Sequence, residues 1–392
     1  MRPLDGITVL TLEHAVSAPF ATRHLADLGA RVIKVERLEG GDFARGYDET
    51  VRGLSSYFVW INRSKESLTL NLKHPRAKEI IARLLGRADV FVQNLAPGAT
   101  GRLGLGWEKL LARHPRLIVC DISGYGDSGP YRDRKAYDLL IQSEAGFLSV
   151  SGAADAPCKA GISIADIAAG SYAYSGILGA LYQRERSGKG MRIEVSMLEA
   201  LGEWMGFPLY YAHYGGAAPP RTGASHATIY PYGPFRAGDG KSVMLGVQNE
   251  REWAEFCDVV LGCPEVARDP RFDTNSRRVA NREALVLAID KIFSGLTGEE
   301  IVRRLDAAQI ANARMNDMQE VWNHPQLAAR GRWREVSTPA GTISALLPPA
   351  TLSTCEARLG GVPALGEHTD AILAELGFSP EEIAALRAES AV

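Results

Sequence analysis

The chain has 392 residues, 46% hydrophobic and 23% charged, with a net charge of −2. That length exceeds one ordinary domain and can bury a large core, so two domains are the natural expectation. A near-zero charge gives no global attraction to nucleic acid or a membrane surface, and no apolar stretch reaches the roughly 18 residues of a membrane span. The five cysteines, Cys120, Cys158, Cys257, Cys263 and Cys355, have no CxxC or Cys/His spacing, so no metal site is expected and reduced thiols in the cytoplasm are. The start, Met1 to Gly6, has no signal-peptide apolar core.

Along the first 125 residues short apolar runs alternate with helical patterns. Ile7–Leu12 reads as a strand, Pro19–Leu28 as a helix stopped by Gly29, Arg31–Glu36 as a second strand and Ser67–Leu72 as a third. Pro75–Leu85 reads as a helix, Asp89–Asn94 as a strand, Trp107–Arg113 as a helix and Leu117–Ile122 as a strand. Strands separated by helices pair in parallel, which predicts an α/β fold with a large doubly wound parallel-sheet domain. A helical run of small residues covers Ser171–Leu181, and Met191–Val195 alternates like a strand. A second unit carries a strand at Ser242–Val247 and helices at Glu250–Leu261, Arg282–Phe293 and Gly298–Ala308. The C-terminal part returns to extended pieces such as Gly341–Leu347, then helices at Thr369–Leu376 and Pro380–Arg387. The expected organisation is a large domain over 1–210 completed by 330–392, a smaller α/β domain over 225–325, and linkers at 211–224 and about 326–335. No G-x-G-x-x-G follows the first strand, so dinucleotide binding has no fingerprint.

Asp166 stands in Gly161-Ile162-Ser163-Ile164-Ala165-Asp166-Ile167-Ala168-Ala169-Gly170, among small and apolar neighbours. A carboxylate is costly to bury without a partner. Two readings fit: a helix N-cap accepting backbone N–H bonds, or a carboxylate nucleophile in a place where backbone can come close.

Several segments together resemble the class III, formyl-CoA transferase-like, CoA-transferase family. They are Pro3-Leu4-Asp5-Gly6-Ile7, Ala18-Pro19-Phe20, the run Leu25-Ala26-Asp27-Leu28-Gly29-Ala30-Arg31-Val32-Ile33-Lys34-Val35-Glu36-Arg37 and Gly41-Asp42-Phe43-Ala44-Arg45. Further matches are Asn62-Arg63-Ser64-Lys65-Glu66-Ser67, Asn94-Leu95-Ala96-Pro97-Gly98, Ser123-Gly124-Tyr125-Gly126, the Asp166 segment and Gly366-Glu367-His368-Thr369. They span nearly the whole chain in the family's order. The resemblance implies an interlocked homodimer and a ping-pong exchange in which Asp166 attacks an acyl-CoA thioester. The reaction then runs through a mixed anhydride and an aspartyl-CoA thioester. Coenzyme A enters as substrate, and no permanently bound cofactor is implied. Neither nucleic acid nor membrane is an expected partner.

For the CoA groove the resemblance implies Arg37 and Arg102 near adenine and phosphates, with Lys73 and Lys135 in reach. It implies Leu70, Asn94 and Leu95 as groove lining and Tyr137 and Asp138 close to the pantetheine. His14, Val16 and Tyr57 would border the acyl site. Arg45, Arg52 and Arg63 are candidates to pair with a second substrate carboxylate, a group that guanidinium recognises well, and Glu13 is a further candidate site carboxylate. Some members close the site with a glycine-rich loop; here Gly233, Gly238 and Gly240 are scattered. Local resemblance around Glu13–Arg23 and Gly41–Asp48 points to short branched dicarboxylates such as itaconate, mesaconate and citramalate, or malate, with succinyl-CoA as donor. Intramolecular CoA movement on mesaconyl-CoA is included. Formate/oxalate and carnitine exchange are alternatives. An α-methylacyl-CoA racemase of the same fold needs acid/base groups on both sides of the α-carbon; that family's His before the position of Asp138 is Tyr137 here. A non-catalytic acyl-CoA carrier would not need Asp166.

Overall fold

The computed structural model describes residues 1–392. The chain divides into two compact units, one of Met1–Ala145, Ala160–Met205 and Gln326–Val392, the other of Gly146–Lys159 and Gly206–Pro325.

The first unit is built on a parallel sheet of six strands. They are β1 (Thr8–Leu12), β2 (Arg31–Glu36), β3 (Lys65–Thr69), β4 (Val90–Gln93), β5 (Ile118–Ser123) and β6 (Arg192–Ser196), in the order β3-β2-β1-β4-β5-β6. Every adjacent pair is parallel. The strands are nearly continuous buried runs, as expected for a sheet covered on both faces. On one face Leu10, Leu12, Ile33, Leu68, Phe91 and Val119 pack with Ile80, Ile81 and Leu84 of the helix Ala77–Leu85 and with the C-terminal Ile372, Leu373 and Leu386. The chain's last two residues, Ala391 and Val392, are buried in that cluster.

The intervening helices that matter for the site are α1 (Ser17–Asp27), α2 (Ser56–Asn62), α3 (Ala77–Leu85), α4 (Asp138–Glu144) and α5 (Ile164–Ser187). Gly29 ends the first β–α unit at φ +110°, where a Cβ would lie 2.5 Å from the Asp5 carboxylate, so only glycine fits. Helices α1 and α5 pack on each other, with Gly170 against the Ser17 carbonyl and the Phe20 ring and the Tyr174 ring 5.2 Å from His24. Gly170 lets the two backbones approach, and the site is built on that seam.

The second unit has a three-stranded antiparallel sheet of β7 (Tyr232–Arg236), β8 (Ser242–Gly246) and β9 (Ala311–Arg314), with β8 central. Phe235, Trp253, Phe256, Phe293 and Leu305 form its core. The pattern over Glu250–Leu261 suggested one helix. An α-helix ends at Glu255 instead and a π-helical turn covers Phe256–Val260, where the Arg304 guanidinium donates to the Val260 carbonyl at 3.1 Å. The Gly- and Pro-rich stretch starting at 211 read as linker, but an α-helix runs over Gly206–Gly215, because its aromatic run contains no breaker after Pro208.

Candidate active site

Strand order reverses between β1 and β4. In open parallel sheets ligands bind outside the carboxyl ends of the strands at such a point. There the chain leaves β1 as Glu13-His14-Ala15-Val16 and enters α1 at Ser17. Asn94, just past β4, clamps this turn: its Oδ1 accepts the His14 N–H at 3.0 Å, and its Nδ2 donates to the His14 carbonyl at 2.9 Å and to Ser17 Oγ at 3.2 Å. Ala15 has φ +60°, a strained value for a residue with a Cβ, and its N–H donates to Asp42 Oδ1 at 3.1 Å.

Beneath the turn lies a charge network with almost no solvent access. Lys34 Nζ donates to Asp42 at 2.8 Å and to Glu13 at 3.4 Å; Lys65 Nζ donates to Glu13 at 2.6 Å and to Asn62 Oδ1 at 3.1 Å. Glu13 also accepts from the Thr11 and Thr22 hydroxyls. Glu36 takes two bonds from Arg45, at 2.8 Å each, plus one each from the Ser67 hydroxyl and the Asp42 N–H. Three carboxylates and three cations balance, so the ionised forms persist. Burial pushes Glu13 and Glu36 up, but Lys65 and Lys34 outweigh it for Glu13, and Arg45 and Lys34 for Glu36, holding both down at about 2. The Lys65 ammonium is lowered to about 8 by burial, against the pull of Glu13. Asp42 also caps the 3₁₀ turn Phe43–Gly46, so the network fixes Phe43 and Tyr47 as well.

Asp166 occupies the first turn of α5. It is not the N-cap: Ser163 is, and it makes no side-chain cap bond. The capping acceptor comes from α4, where Asp138 Oδ1 accepts the Ala165 N–H at 2.8 Å and the Asp166 N–H at 3.3 Å. Asp138 Oδ2 takes a bond from Gln142 at 2.6 Å, and Gln142 in turn holds the Ala160 N–H. Asp138 thus shapes the helix end that carries Asp166. The Asp166 side chain, partly accessible, lies beside Ser17, whose hydroxyl and backbone N–H favour its charged form. Burial first, then the negative Asp138, raises the Asp166 carboxyl to about 7, against the Ser17 groups. We expect Asp138→Asn, which keeps an oxygen for the two N–H groups, to move the acid limb of the pH–rate profile down by about one unit; an unmoved limb would show that the Asp138 charge does not act on Asp166.

Gly170 lies one helical turn beyond Asp166, on the same face. A Cβ there would sit 2.6 Å from the Ser17 carbonyl oxygen and 3.0 Å from the Phe20 ring. The obstacle is backbone, so Gly170→Ala must push α1 off α5. We expect it to cost about 1–3 kcal/mol of stability and to lower activity more than tenfold. Denaturant unfolding and a rate assay check this, and wild-type values for both would refute the close approach.

Around Asp166 the surface is aromatic. The His14 and Phe43 rings are 4.7 Å apart, Phe43 and Tyr47 5.9 Å, and Tyr47 meets Tyr57 edge-on at 5.4 Å. Burial, with the negative charge of Asp42 and then Asp166, raises the Tyr47 phenol to about 12, so it stays a donor. Burial keeps the His14 imidazole below its usual pKa despite nearby Asp42. A carboxylate with ionisation near neutrality, hydrogen-bond donors on one side and neutral aromatic groups on the other can attack an activated carbonyl and hold the product.

Residues 4–369 match CoA-transferase family III. The chain belongs to that family. It is 35% identical to the mouse succinyl-CoA:glutarate CoA-transferase, covering 96% of this chain and 87% of that protein. It is 38% identical to the Acetobacter aceti acetyl-CoA:oxalate CoA-transferase over 84% of each chain. The crystal structure of a CAIB/BAIF family protein from Brucella suis superposes with a TM-score of 0.83 at 33% identity, covering 96% of this chain and 99% of that one.

In this family III transferase the residues singled out from sequence fall into two groups. Arg37, Lys73, Arg102 and Lys135 are exposed cations. Arg37 Nε donates to the Gly41 carbonyl at 3.0 Å, and Arg102 ends the short helix Ala99–Arg102. Tyr137 is 67% exposed at the N-cap of α4, and Tyr57 stands at the aromatic rim. The others are committed inward. Leu70 is buried in the core, and Leu95 packs against the same cluster, its N–H on Gln93 Oε1 at 2.8 Å. Val16 is buried under the turn. Glu13 is enclosed in the charge network. Asn94 and Asp138 spend their polar atoms on the turn and the helix end. Arg45 is already paired with Glu36 and stacks on Phe58 at 3.7 Å, and Arg63 is paired with Asp27 and buried, so neither guanidinium is free for a second carboxylate. Arg52 alone of the three is exposed. Ser17, Lys34, Asp42 and Tyr47 were not singled out. Their only sequence signal is proximity to motifs, and what makes them matter is contacts between strands.

Proposed function

We propose that this family III transferase moves CoA between an acyl-CoA donor, succinyl-CoA first, and a short dicarboxylic acid, with Asp166 as covalent nucleophile. The observation that carries this is the Asp166 carboxylate at the switch point, tuned to about 7 and lying beside Ser17. The Asp166 oxygen forms a bond to the thioester carbonyl carbon, the C–S bond breaks, and the electron pair leaves with CoA as thiolate. The thiolate then attacks the aspartyl carbonyl of the mixed anhydride and releases the donor acid. The acceptor carboxylate reverses the sequence, so thioester energy is conserved. Water must be kept out of these intermediates, which suits an aromatic rim.

Dicarboxylate acceptors are supported by the names of the glutarate and oxalate relatives. The branched acids itaconate, mesaconate and citramalate are the finer reading. Mass spectrometry of acyl-CoA products tests it, with succinyl-CoA and glutarate, itaconate, mesaconate, citramalate, malate, oxalate and formate as separate acceptors. A new acyl-CoA with a dicarboxylate supports the assignment, and one with itaconate, mesaconate or citramalate the finer reading; product only with formate, or no product with any acid, would sink it.

We also propose a homodimer. The helix Gly206–Gly215 has no buried residue, and it exposes Phe207, Leu209, Tyr210, Tyr211 and Tyr214 at 44–79%. Helices apolar all round are covered in working proteins, and a second copy is the available cover. A monomer by light scattering at micromolar concentration would end this proposal.

A further inference from the structure

The turn between β1 and α1 holds a polar side chain that the reaction as drawn does not use. Ser17 is only 3% exposed, in the first residue of α1, and buried hydroxyls need partners. The orientation of its proton follows from Asn94. The His14 N–H occupies Asn94 Oδ1, which fixes that atom as the oxygen and the other as the NH₂. Asn94 Nδ2 then donates to Ser17 Oγ at 3.2 Å. With an oxygen lone pair taken by Asn94, the Ser17 hydroxyl proton is left for the helix opposite, where Gly170 abuts the Ser17 backbone and Asp166, one turn earlier on the same face, is the carboxylate that Ser17 favours in its charged form. Gly170 makes this approach possible, since a side chain there would collide with the Ser17 carbonyl. As the first residue of α1, Ser17 also has a backbone N–H with no partner inside its helix.

We infer that the Ser17 hydroxyl, aligned by Asn94, is a catalytic hydrogen-bond donor to the Asp166 carboxyl oxygen, acting when the aspartyl carbonyl itself is attacked. This rests on Asp166 being the nucleophile. In the first step Asp166 donates electrons, and a donor on its other oxygen gives no acceleration. In the second step CoA thiolate adds to the aspartyl carbonyl carbon: the S–C bond forms and the C=O π pair moves onto the oxygen facing Ser17. That pair returns as the bond to the donor acid breaks and the acid leaves as carboxylate. Negative charge therefore grows on the oxygen that faces Ser17, the placement that makes an oxyanion donor effective. The same holds for attack by the acceptor carboxylate. Asn94 is a positioning residue: its polar atoms bond the His14 backbone and the Ser17 hydroxyl.

The test compares Ser17→Val with Ser17→Thr in the full-length protein, similar in volume and differing in the hydroxyl. Enzyme–CoA adduct formation from succinyl-CoA is followed by rapid quench and intact-protein mass, alongside affinity for free CoA. The valine variant is expected to form adduct about 10²–10³-fold more slowly, with CoA affinity within threefold, and the threonine variant within tenfold of wild type. Adduct formation at the wild-type rate in Ser17→Val, or an equal loss in Ser17→Thr, overturns the inference. Should Ser17→Val fail to fold, Ser17→Ala reads the same rate. A substrate-free measurement runs beside these: the ¹³C carboxyl titration of Asp166 must move up without the hydroxyl, and an unmoved titration also overturns the inference. Asp166→Ala separates the two layers: adduct on that variant refutes the nucleophile, whereas no adduct there with a normal Ser17→Val refutes only the role of Ser17.

Discussion

Asp166→Ala is expected to fold, to bind CoA and to lose transfer by at least about 10⁴-fold, the scale of removing a covalent nucleophile. No neighbouring group can take over. Asp138 has its oxygens on the Ala165 and Asp166 N–H groups and on Gln142, and Glu13 is enclosed by Lys34, Lys65 and two threonines. Residual transfer within a hundredfold of wild type would move the nucleophile elsewhere. Asp166→Asn adds a second, opposite expectation. An acid whose folded pKa is raised to about 7 binds more protons folded than unfolded, so it lowers stability progressively from about pH 4 to pH 7 and by a constant amount above. The full shift corresponds to about 4 kcal/mol, and the partial solvent access of Asp166 reduces this to about 1–2 kcal/mol. The asparagine variant should therefore be more stable than wild type at pH 8 and indistinguishable at pH 4. Equal stability at both would mean that the carboxylate is not held under electrostatic stress. Gain of stability with loss of activity is the pattern of a site kept reactive at the fold's expense.

The parts legible from sequence and those that were not divide along the range of the interactions. The parallel sheet announced itself in β1, β2, β4 and β5, whose apolar runs and spacing are local. β3 was displaced by two to three residues, Lys65–Thr69 rather than Ser67–Leu72, because Lys65 and Glu66 look too polar for a buried strand. Lys65 is buried all the same, its charge met by Glu13, 52 positions away. Lys34 poses the same problem. In Arg-Val-Ile-Lys-Val-Glu it reads as the solvent-facing half of an alternating strand, yet both faces of this sheet are covered and its partners come from the ends of other segments. Asp166 was visible because its neighbours are small. It could be read as a helix cap or as a nucleophile, and the cap reading falls to Asp138, a residue 28 positions upstream that accepts those N–H groups instead. Arg45 shows the converse: a cation in a good motif whose guanidinium was spoken for by Glu36, nine residues earlier. Side-chain type indicated chemistry well; availability depended on partners that no spacing rule supplies.

Lys34→Met tests the most consequential of those partnerships. The methionine fills the space but leaves Asp42 and Glu13 facing a neutral side chain, and Asp42 retains only the Ala15 and Ala44 N–H groups and Glu13 only Lys65 among charges. Breaking one member of a buried ion network costs about 3–5 kcal/mol, chiefly through the charge left behind. Denaturant unfolding of the full chain at pH 7.5 should show a loss of that size in the transition of the first unit, and a loss under about 1 kcal/mol would mean that Asp42 and Glu13 are not ionised. The pH dependence carries the sign. In wild type, Glu13 is held at about 2, below its ordinary value, so its contribution is fully present above about pH 4.5 and disappears as pH falls through 2. In the variant both carboxylates protonate more readily, and the deficit should shrink steadily in acid. Adding Asp42→Asn to Lys34→Met removes the orphaned charge and should recover part of the loss at pH 7.5. Both the Ala15 and the Ala44 N–H donate to Asp42 Oδ1, an oxygen that asparagine keeps, so the 3₁₀ turn and the placement of Tyr47, His14 and Ser17 around Asp166 should survive in the double variant.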